Sequence, residues 1–241
     1  MCGLRMFVLG LVLCVVVCGC QKDGPGEEKE TAMGLTLKWL GHASFRISYE
    51  DTVIYIDPWK LKDSPHDADL VLVSHKHQDH YSREDIDRVS GPDTRFVASR
   101  DVVMEGGVGQ TIMPGLTVEV GEVRVQGVPA YNTNKEFHAK SRQWLGFVID
   151  IGGKRIYYAG DTDVIDEMKM LKDIDVALVP VGGTYTMNAA EAAEAVGHIK
   201  PKLAVPYHWG DIVGSESDAQ SFAEKAGCEV KILKPGESVG L

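Results

Sequence analysis

The 241-residue sequence predicts an α/β fold in four αββα layers, two β-sheets packed face to face with helices outside. Short apolar runs of strand length, separated by Gly, Asp and Pro, fill the first half, and strands alternate with capped helical stretches in the second. The halves also echo each other. Val53-Ile54-Tyr55-Ile56-Asp57 followed by Asp67-Ala68-Asp69-Leu70-Val71-Leu72-Val73 resembles Ile156-Tyr157-Tyr158-Ala159-Gly160-Asp161 followed by Asp173-Ile174-Asp175-Val176-Ala177-Leu178-Val179. A duplicated β-rich unit buries its apolar faces by packing the two sheets together. The composition, 44% hydrophobic and 25% charged, supplies enough apolar surface for such a core. With 35 acidic against 25 basic residues, a net charge of −10 and no basic stripe, no nucleic-acid partner is expected.

From the N-terminus, Arg5 precedes an apolar stretch over Met6 to Val17 that ends in Cys18-Gly19-Cys20, a processing signal too short for a comfortable membrane span. The Gly-Cys step resembles the bacterial lipobox. That resemblance implies a signal peptide over residues 1–19, a lipidated Cys20, and a protein anchored in the cell envelope facing away from the cytoplasm. Residues 20–33, rich in charge, Gly and Pro, read as a disordered tether, and the functional domain spans 34–241. Strands are expected over Leu35 to Leu40, Ser44 to Tyr49, Thr52 to Ile56 and Leu70 to Ser74. Ser82 with Asp85 starts a helix that Gly91-Pro92 stops. Further strands fall at Arg95 to Ala98, Leu116 to Val120, Glu122 to Val128, Leu145 to Ile151 and Arg155 to Ala159. Helices start at Asp163, at Asn188 with Glu191, and at Ser217 with Gln220, between strands Val176 to Pro180, Leu203 to Pro206 and Glu229 to Leu233.

The chemistry concentrates in Ser74-His75-Lys76-His77-Gln78-Asp79-His80, directly after an apolar strand. His75 and His77, two apart, project to one side of extended backbone and can share an ion; Asp79 and His80, past the strand end, can turn toward a second. Imidazole and carboxylate ligands suit zinc, iron or manganese better than calcium or magnesium. Two coordination shells need more donors, and other strand ends offer them. Asp161 follows Gly160, His208 follows Val205-Pro206-Tyr207, and His138 lies in a polar loop.

The His-x-His-x-Asp-His run, the later Gly-Asp and the Pro-Tyr-His step resemble the metallo-β-lactamase superfamily over nearly all of residues 34–241. Trp39-Leu40-Gly41-His42-Ala43-Ser44-Phe45, Ile56-Asp57-Pro58 and Val181 to Met187 resemble its stand-alone metal-dependent hydrolases, such as ascorbate-phosphate lactonase and N-acyl-phosphatidylethanolamine phospholipase D. The resemblance implies His75 and His77 on a first metal, Asp79, His80 and His208 on a second, and Asp161 as the bridge. In related hydrolases a third histidine of the first metal follows a Pro-Ala-x step; here Pro129-Ala130-Tyr131 is followed by Asn132. Either His138 reaches in from the same loop or Asn132 leaves that site weak.

Asp57 either orients a ligand histidine or caps its turn with Pro58, and His42 either touches substrate or is a buried core histidine. Lys135, Lys140 and Arg142 either hold an anion or form a solvated loop face, and Tyr131 to Gln143 is long enough for a lid. The implied activity is that of a hydrolase holding two divalent ions, zinc first and manganese or iron next. A metal-held hydroxide would attack an ester, lactone or phosphodiester of a small or lipid-like substrate, with Asp79 orienting it and shuttling its proton. The competing reading is a lipid-anchored metal- or solute-binding module with little catalysis, resting on Asn132.

Overall fold

A computed structural model describes Met1 and residues 34–241. The signal and tether readings, which fall on residues 1–33, therefore lie outside the described residues, Met1 aside. The strands are β1 (Thr36–Gly41), β2 (Ser44–Tyr49), β3 (Thr52–Ile56), β4 (Ala68–Val73), β5 (Ser90–Ala98), β6 (Gln110–Thr111), β7 (Thr117–Val120), β8 (Val123–Pro129), β9 (Leu145–Ile151), β10 (Lys154–Tyr158), β11 (Val176–Pro180), β12 (Leu203–Tyr207), β13 (Glu229–Val230) and β14 (Ser238–Gly240). The α-helices are α1 (Arg83–Val89), α2 (Arg100–Gly106), α3 (Ala189–Ile199) and α4 (Glu216–Lys225).

Two seven-stranded sheets result, one ordered β14-β1-β2-β3-β4-β5-β6 and the other β13-β12-β11-β10-β9-β8-β7. Each begins as an antiparallel meander and turns parallel, at β3–β4 in the first and β10–β11 in the second. With helices outside, this is the αββα sandwich that the element order predicts. The internal echo has a physical counterpart. Ile54 lies opposite Leu70, and Ile156 opposite Val176. Beside each pair the same latch closes: Asp69 Oδ2 accepts from the Val53 N–H at 2.7 Å, and Asp175 Oδ2 from the Arg155 N–H at 2.9 Å. This register sets Asp57 level with Ala159, so Asp161 lies two residues further out, past the end of β10.

Alternation decides what each strand buries. Ile54 and Ile56 of β3 join the core between the sheets, while Val53 and Tyr55 join a second cluster with Val89 and Val102 of the outer helices. Covered on both faces, such a strand reads as an unbroken apolar run. Aromatic rings stitch the sheets together: Phe45 meets Tyr207 edge-on at 5.5 Å and Tyr158 at 6.2 Å. Each fully buried side chain of this kind contributes about 1.5–3 kcal/mol through removal from water.

Several helix expectations need correction. The stretch after Asp163 forms only a short 3₁₀ turn, Asp166–Met170, because the Asp163 carboxylate faces the 133–135 loop instead of capping a helix. α4 starts two residues earlier than expected, on a capping box of Ser215 and Asp218. α2, β6 and β14 have too few apolar positions to announce themselves. α3 follows its Asn188–Glu191 capping box as read.

Candidate metal centre

The parallel strands β3, β4, β11 and β12 point their carboxyl ends the same way, and the loops that leave them meet at one rim, where open α/β sheets bind ligands. Three of the residues there, His42, Asp57 and His208, have positive φ of 47°, 44° and 62°. Backbone strain of this kind persists where surrounding contacts enforce it. The His208 N–H donates to the His42 carbonyl at 3.0 Å, and Gly182 packs so closely that a Cβ there would stand 2.2 Å from the His208 carbonyl oxygen.

His75, His77 and His138 form one group of converging donors. His75 Nε2 and His77 Nδ1 stand 3.1 Å apart, and the His138 ring lies 5.3 and 5.1 Å from the two rings. Trp144 lies against all three, 4.7 Å from His75 and His77 and 5.6 Å from His138, with its indole N–H anchored on Asp101 Oδ2 at 2.6 Å. Burial, the largest influence, holds the pKa values of His75 and His77 below the usual imidazole value, so both rings keep a lone pair.

His42, Asp79, His80 and His208 form a second group, and Asp161 lies between the two. Asp161 Oδ1 is 3.3 Å from His80 Nε2, and Oδ2 is 3.3 Å from both His138 Nε2 and His208 Nε2. Burial alone would raise the Asp161 carboxyl, but His208 and His80 hold it well below the usual range. The Asp79 carboxyl is also held down: burial, the largest single influence, would raise it, but the His42 hydrogen bond at 2.9 Å and the neighbouring His80 together outweigh it. On the far side of His80, Asp57 accepts from Nδ1 at 2.7 Å, from the Ser74 N–H at 2.7 Å and hydroxyl at 2.5 Å, and from the Tyr158 hydroxyl at 2.7 Å. Asp57 thus fixes the His80 tautomer and turns Nε2 toward Asp161.

His80 Nε2, His138 Nε2, His208 Nε2 and Asp161 Oδ1 are buried and make no hydrogen bond among the described residues. Buried polar atoms are almost always partnered, and leaving one unpaired costs about 1–3 kcal/mol. Four such atoms aimed at one another suit a divalent cation. The donor set, imidazole and carboxylate only, fits zinc, iron or manganese.

Comparison with known proteins gives the same direction. A family model, the Beta-lactamase superfamily domain, matches residues 36–208. A UPF0173 metal-dependent hydrolase of Thermococcus onnurineus is 34% identical over 224 residues, covering 85% of this chain and 99% of the relative. The chain belongs to the UPF0173 metal-dependent hydrolase family. A crystal structure assigned to the metal-dependent hydrolases, from Parabacteroides distasonis, superposes with a TM-score of 0.74 at 32% identity, over 84% of this chain and 94% of that one. A metallo-hydrolase of the archaeon Ignicoccus hospitalis gives 0.71 at 25% identity, over 86% and 98%.

In this UPF0173 domain Asn132 does not stand among the donors. Its Oδ1 accepts from the His138 N–H at 2.8 Å and from His138 Nδ1 at 3.0 Å, and its amide donates to Asp163 at 3.2 Å and to the Tyr185 carbonyl at 3.0 Å. It clamps His138, and it is His138, not Asn132, that converges with His75 and His77. Of the two readings of the cationic cluster, the ion pairs go with a loop face and not with an anion holder. The Lys135 ammonium is spent on Asp163 and Lys140 pairs with Glu167 at 3.0 Å, leaving Arg142 over the Trp144 ring. Asp163 binds Lys135, Asn132 and the Thr133 N–H together; this organiser of the 131–138 loop read in the sequence only as a helix start. Ser74, Tyr158 and Trp144 also escaped sequence reading, since their roles depend on neighbours remote in the chain.

Proposed function

We propose that this UPF0173 protein is a dinuclear hydrolase, with zinc as the first candidate and manganese or iron next, that cleaves an ester, lactone or phosphodiester. The observation that carries the reading is the set of four buried, unpartnered donor atoms on His80, His138, His208 and Asp161. His75, His77 and His138 would hold one ion, Asp79, His80 and His208 the other, with Asp161 between them. His42, within the second group, is a further candidate donor. Bound divalent ions would lower the pKa of a water toward neutrality and polarise the oxygen of the scissile bond.

The chain's own residues supply the rest. Asp79, kept ionised beside His42 and 22% exposed, can accept a hydrogen from an attacking water and deliver that proton to the leaving group. Asp57 and Asn132 fix the tautomers of His80 and His138, so that each turns Nε2 to the centre. Trp144 shuts bulk water out from one side. Neither a Ser nor a Cys nucleophile is required; Cys228 is half-buried, its thiol pKa raised by burial.

We place the enzyme in the bacterial envelope, lipid-anchored through Cys20, on the strength of residues 1–20 alone. The experiment for the activity is elemental analysis of the full chain, paired with hydrolysis of generic ester, lactone and phosphodiester substrates with and without chelator. Two ions per chain and chelator-sensitive turnover are expected. One ion and no turnover on any bond class would return the protein to the binding-module reading.

A further inference from the structure

The metal centre opens to solvent through a cavity of about 280 Å³, whose rim beyond the donor residues consists of Gln78, Phe137, Tyr185 and Ile212. Phe137 is 48% exposed and Ile212 55%. The Phe137 ring meets Tyr185 edge-on at 4.7 Å, so the two form one apolar wall. Single exposed apolar side chains are ordinary, but two at one cavity mouth, with the half-buried Tyr185 ring on the same rim, are not scattered.

Ile212 carries a second signal. Its φ is +62°, a left-handed conformation that a β-branched side chain adopts only at a cost. A tight turn imposes it: Asp211 and Val213 bridge each other across Ile212, with the Val213 N–H donating to the Asp211 carbonyl at 2.6 Å. Lys60 Nζ, 2.7 Å from Asp211 Oδ2, ties the turn to the segment after β3. A polar Asn or Gly would relieve the turn. The chain instead holds an exposed isoleucine there, over the donors.

Among the described residues no Lys or Arg lines the cavity, while Asp79 and Asp161 do. The nearby ammonium groups of Lys60, Lys135 and Lys140 are each taken by a carboxylate: Asp211, Asp163 and Glu167. With Asp79 and Asp161 engaged by the ions, a charged substituent lying beyond the donors would meet only Gln78 and the apolar wall, with no side-chain cation to receive it.

Building on the hydrolase reading, we infer that the substrate is an uncharged acyl compound, a carboxylic ester or lactone bearing an apolar chain, which lies on Phe137, Tyr185 and Ile212 while its carbonyl faces the metal centre. A CH₂ buried fully is worth about 0.8 kcal/mol, and one half-buried on an open wall changes kcat/KM about twofold.

The test has two arms. In the first, the protein as purified is given p-nitrophenyl acetate, butyrate, hexanoate and octanoate, with bis-p-nitrophenyl phosphate as the anionic comparison. Expected is a rise in kcat/KM of about twofold per CH₂ until the cavity is filled, with the phosphodiester slower than the hexanoate. The slope flattens in F137A and I212N, and I212N also gains Tm because Asn tolerates the left-handed turn. M104A, which trims an exposed methionine on α2, keeps the wild-type slope. In the second arm, calorimetry follows N-hexylacetamide, uncharged and not readily hydrolysed, binding to wild type and to the F137A/I212N double variant, which should lose affinity.

Chelator-insensitive or absent turnover of every substrate overturns the hydrolase reading, and the calorimetry still reports on the apolar wall. Chelator-sensitive turnover with a flat ester series, faster phosphodiester cleavage, or equal N-hexylacetamide affinity in the double variant overturns the acyl inference and leaves the hydrolase standing. A loss of Tm in I212N with the slope retained would make Ile212 a structural residue only.

Discussion

Replacing Asn132 by histidine separates two opposite accounts of the first metal site. If position 132 were the missing ligand position, a histidine there would complete the site and tighten metal binding. In the structure the Asn132 side chain instead makes four hydrogen bonds, two to His138 and one each to Asp163 and the Tyr185 carbonyl. The bond to His138 Nδ1 makes that nitrogen the protonated one and leaves the Nε2 lone pair for the ion. N132H removes an acceptor that serves two donors and forces a larger ring into a site that is 8% exposed. Loss of a hydrogen-bonded group behind a metal ligand lowers affinity about 10- to 100-fold. The buried His138 N–H and Tyr185 carbonyl, left unpaired, add roughly 2–4 kcal/mol of lost stability between them. The assay is competition with a chromophoric chelator for zinc or cobalt, alongside thermal melts, on wild type, N132H and N132A. Both variants should bind the weaker ion at least tenfold less tightly than wild type. Tighter binding by N132H would refute the clamp and restore Asn132 as a ligand position.

Asp79→Asn should lower kcat by about 10²- to 10⁴-fold on any substrate the enzyme cleaves, and unchanged turnover in a steady-state assay would remove Asp79 from the chemistry. Gly160→Ala should destabilise by roughly 2–4 kcal/mol in urea melts, because φ at 160 is +68° and a Cβ would stand 2.3 Å from the Leu145 carbonyl oxygen; a variant as stable as wild type would argue against that backbone. Removing metal should lower the Tm, since an ion at a thousandfold its Kd stabilises by about 4 kcal/mol, and a chelated sample with an unaltered melt would count against ions bridging the centre. Cys20→Ala should abolish incorporation of radiolabelled palmitate in a bacterial host, and persistent labelling would disprove the anchor at that residue.

What the sequence reveals of this site follows from distance along the chain. His75, His77, Asp79 and His80 lie within six residues, so their common purpose is visible without a fold. Asp161 and His208 are visible because each ends an apolar strand, and strand ends of parallel sheets converge. The role of Asn132 is hidden because it is defined by Asp163 and Tyr185, 31 and 53 residues away, which only the tertiary fold brings to it. Lys135 looks like a free cation for the same reason: Asp163, its counterion, reads locally as a helix cap. In the fold, the strands and the capped helices α1 and α3 are legible from alternation and capping boxes. α2 and β14 are not, because α2 buries only Val102 and β14 presents no apolar face of its own.

The repeated architecture places one imidazole on the seam of the molecule. His80 Nδ1 is held by Asp57, which follows β3 in the first half, and Nε2 faces Asp161, which follows β10 in the second. Of the proposed donors, His75, His77, Asp79 and His80 come from one half, and His138, Asp161 and His208 from the other, so neither half alone would contain the whole set. On that assignment a chain whose sheets have not docked would offer an ion only part of its ligands, and tight metal retention would report finished assembly.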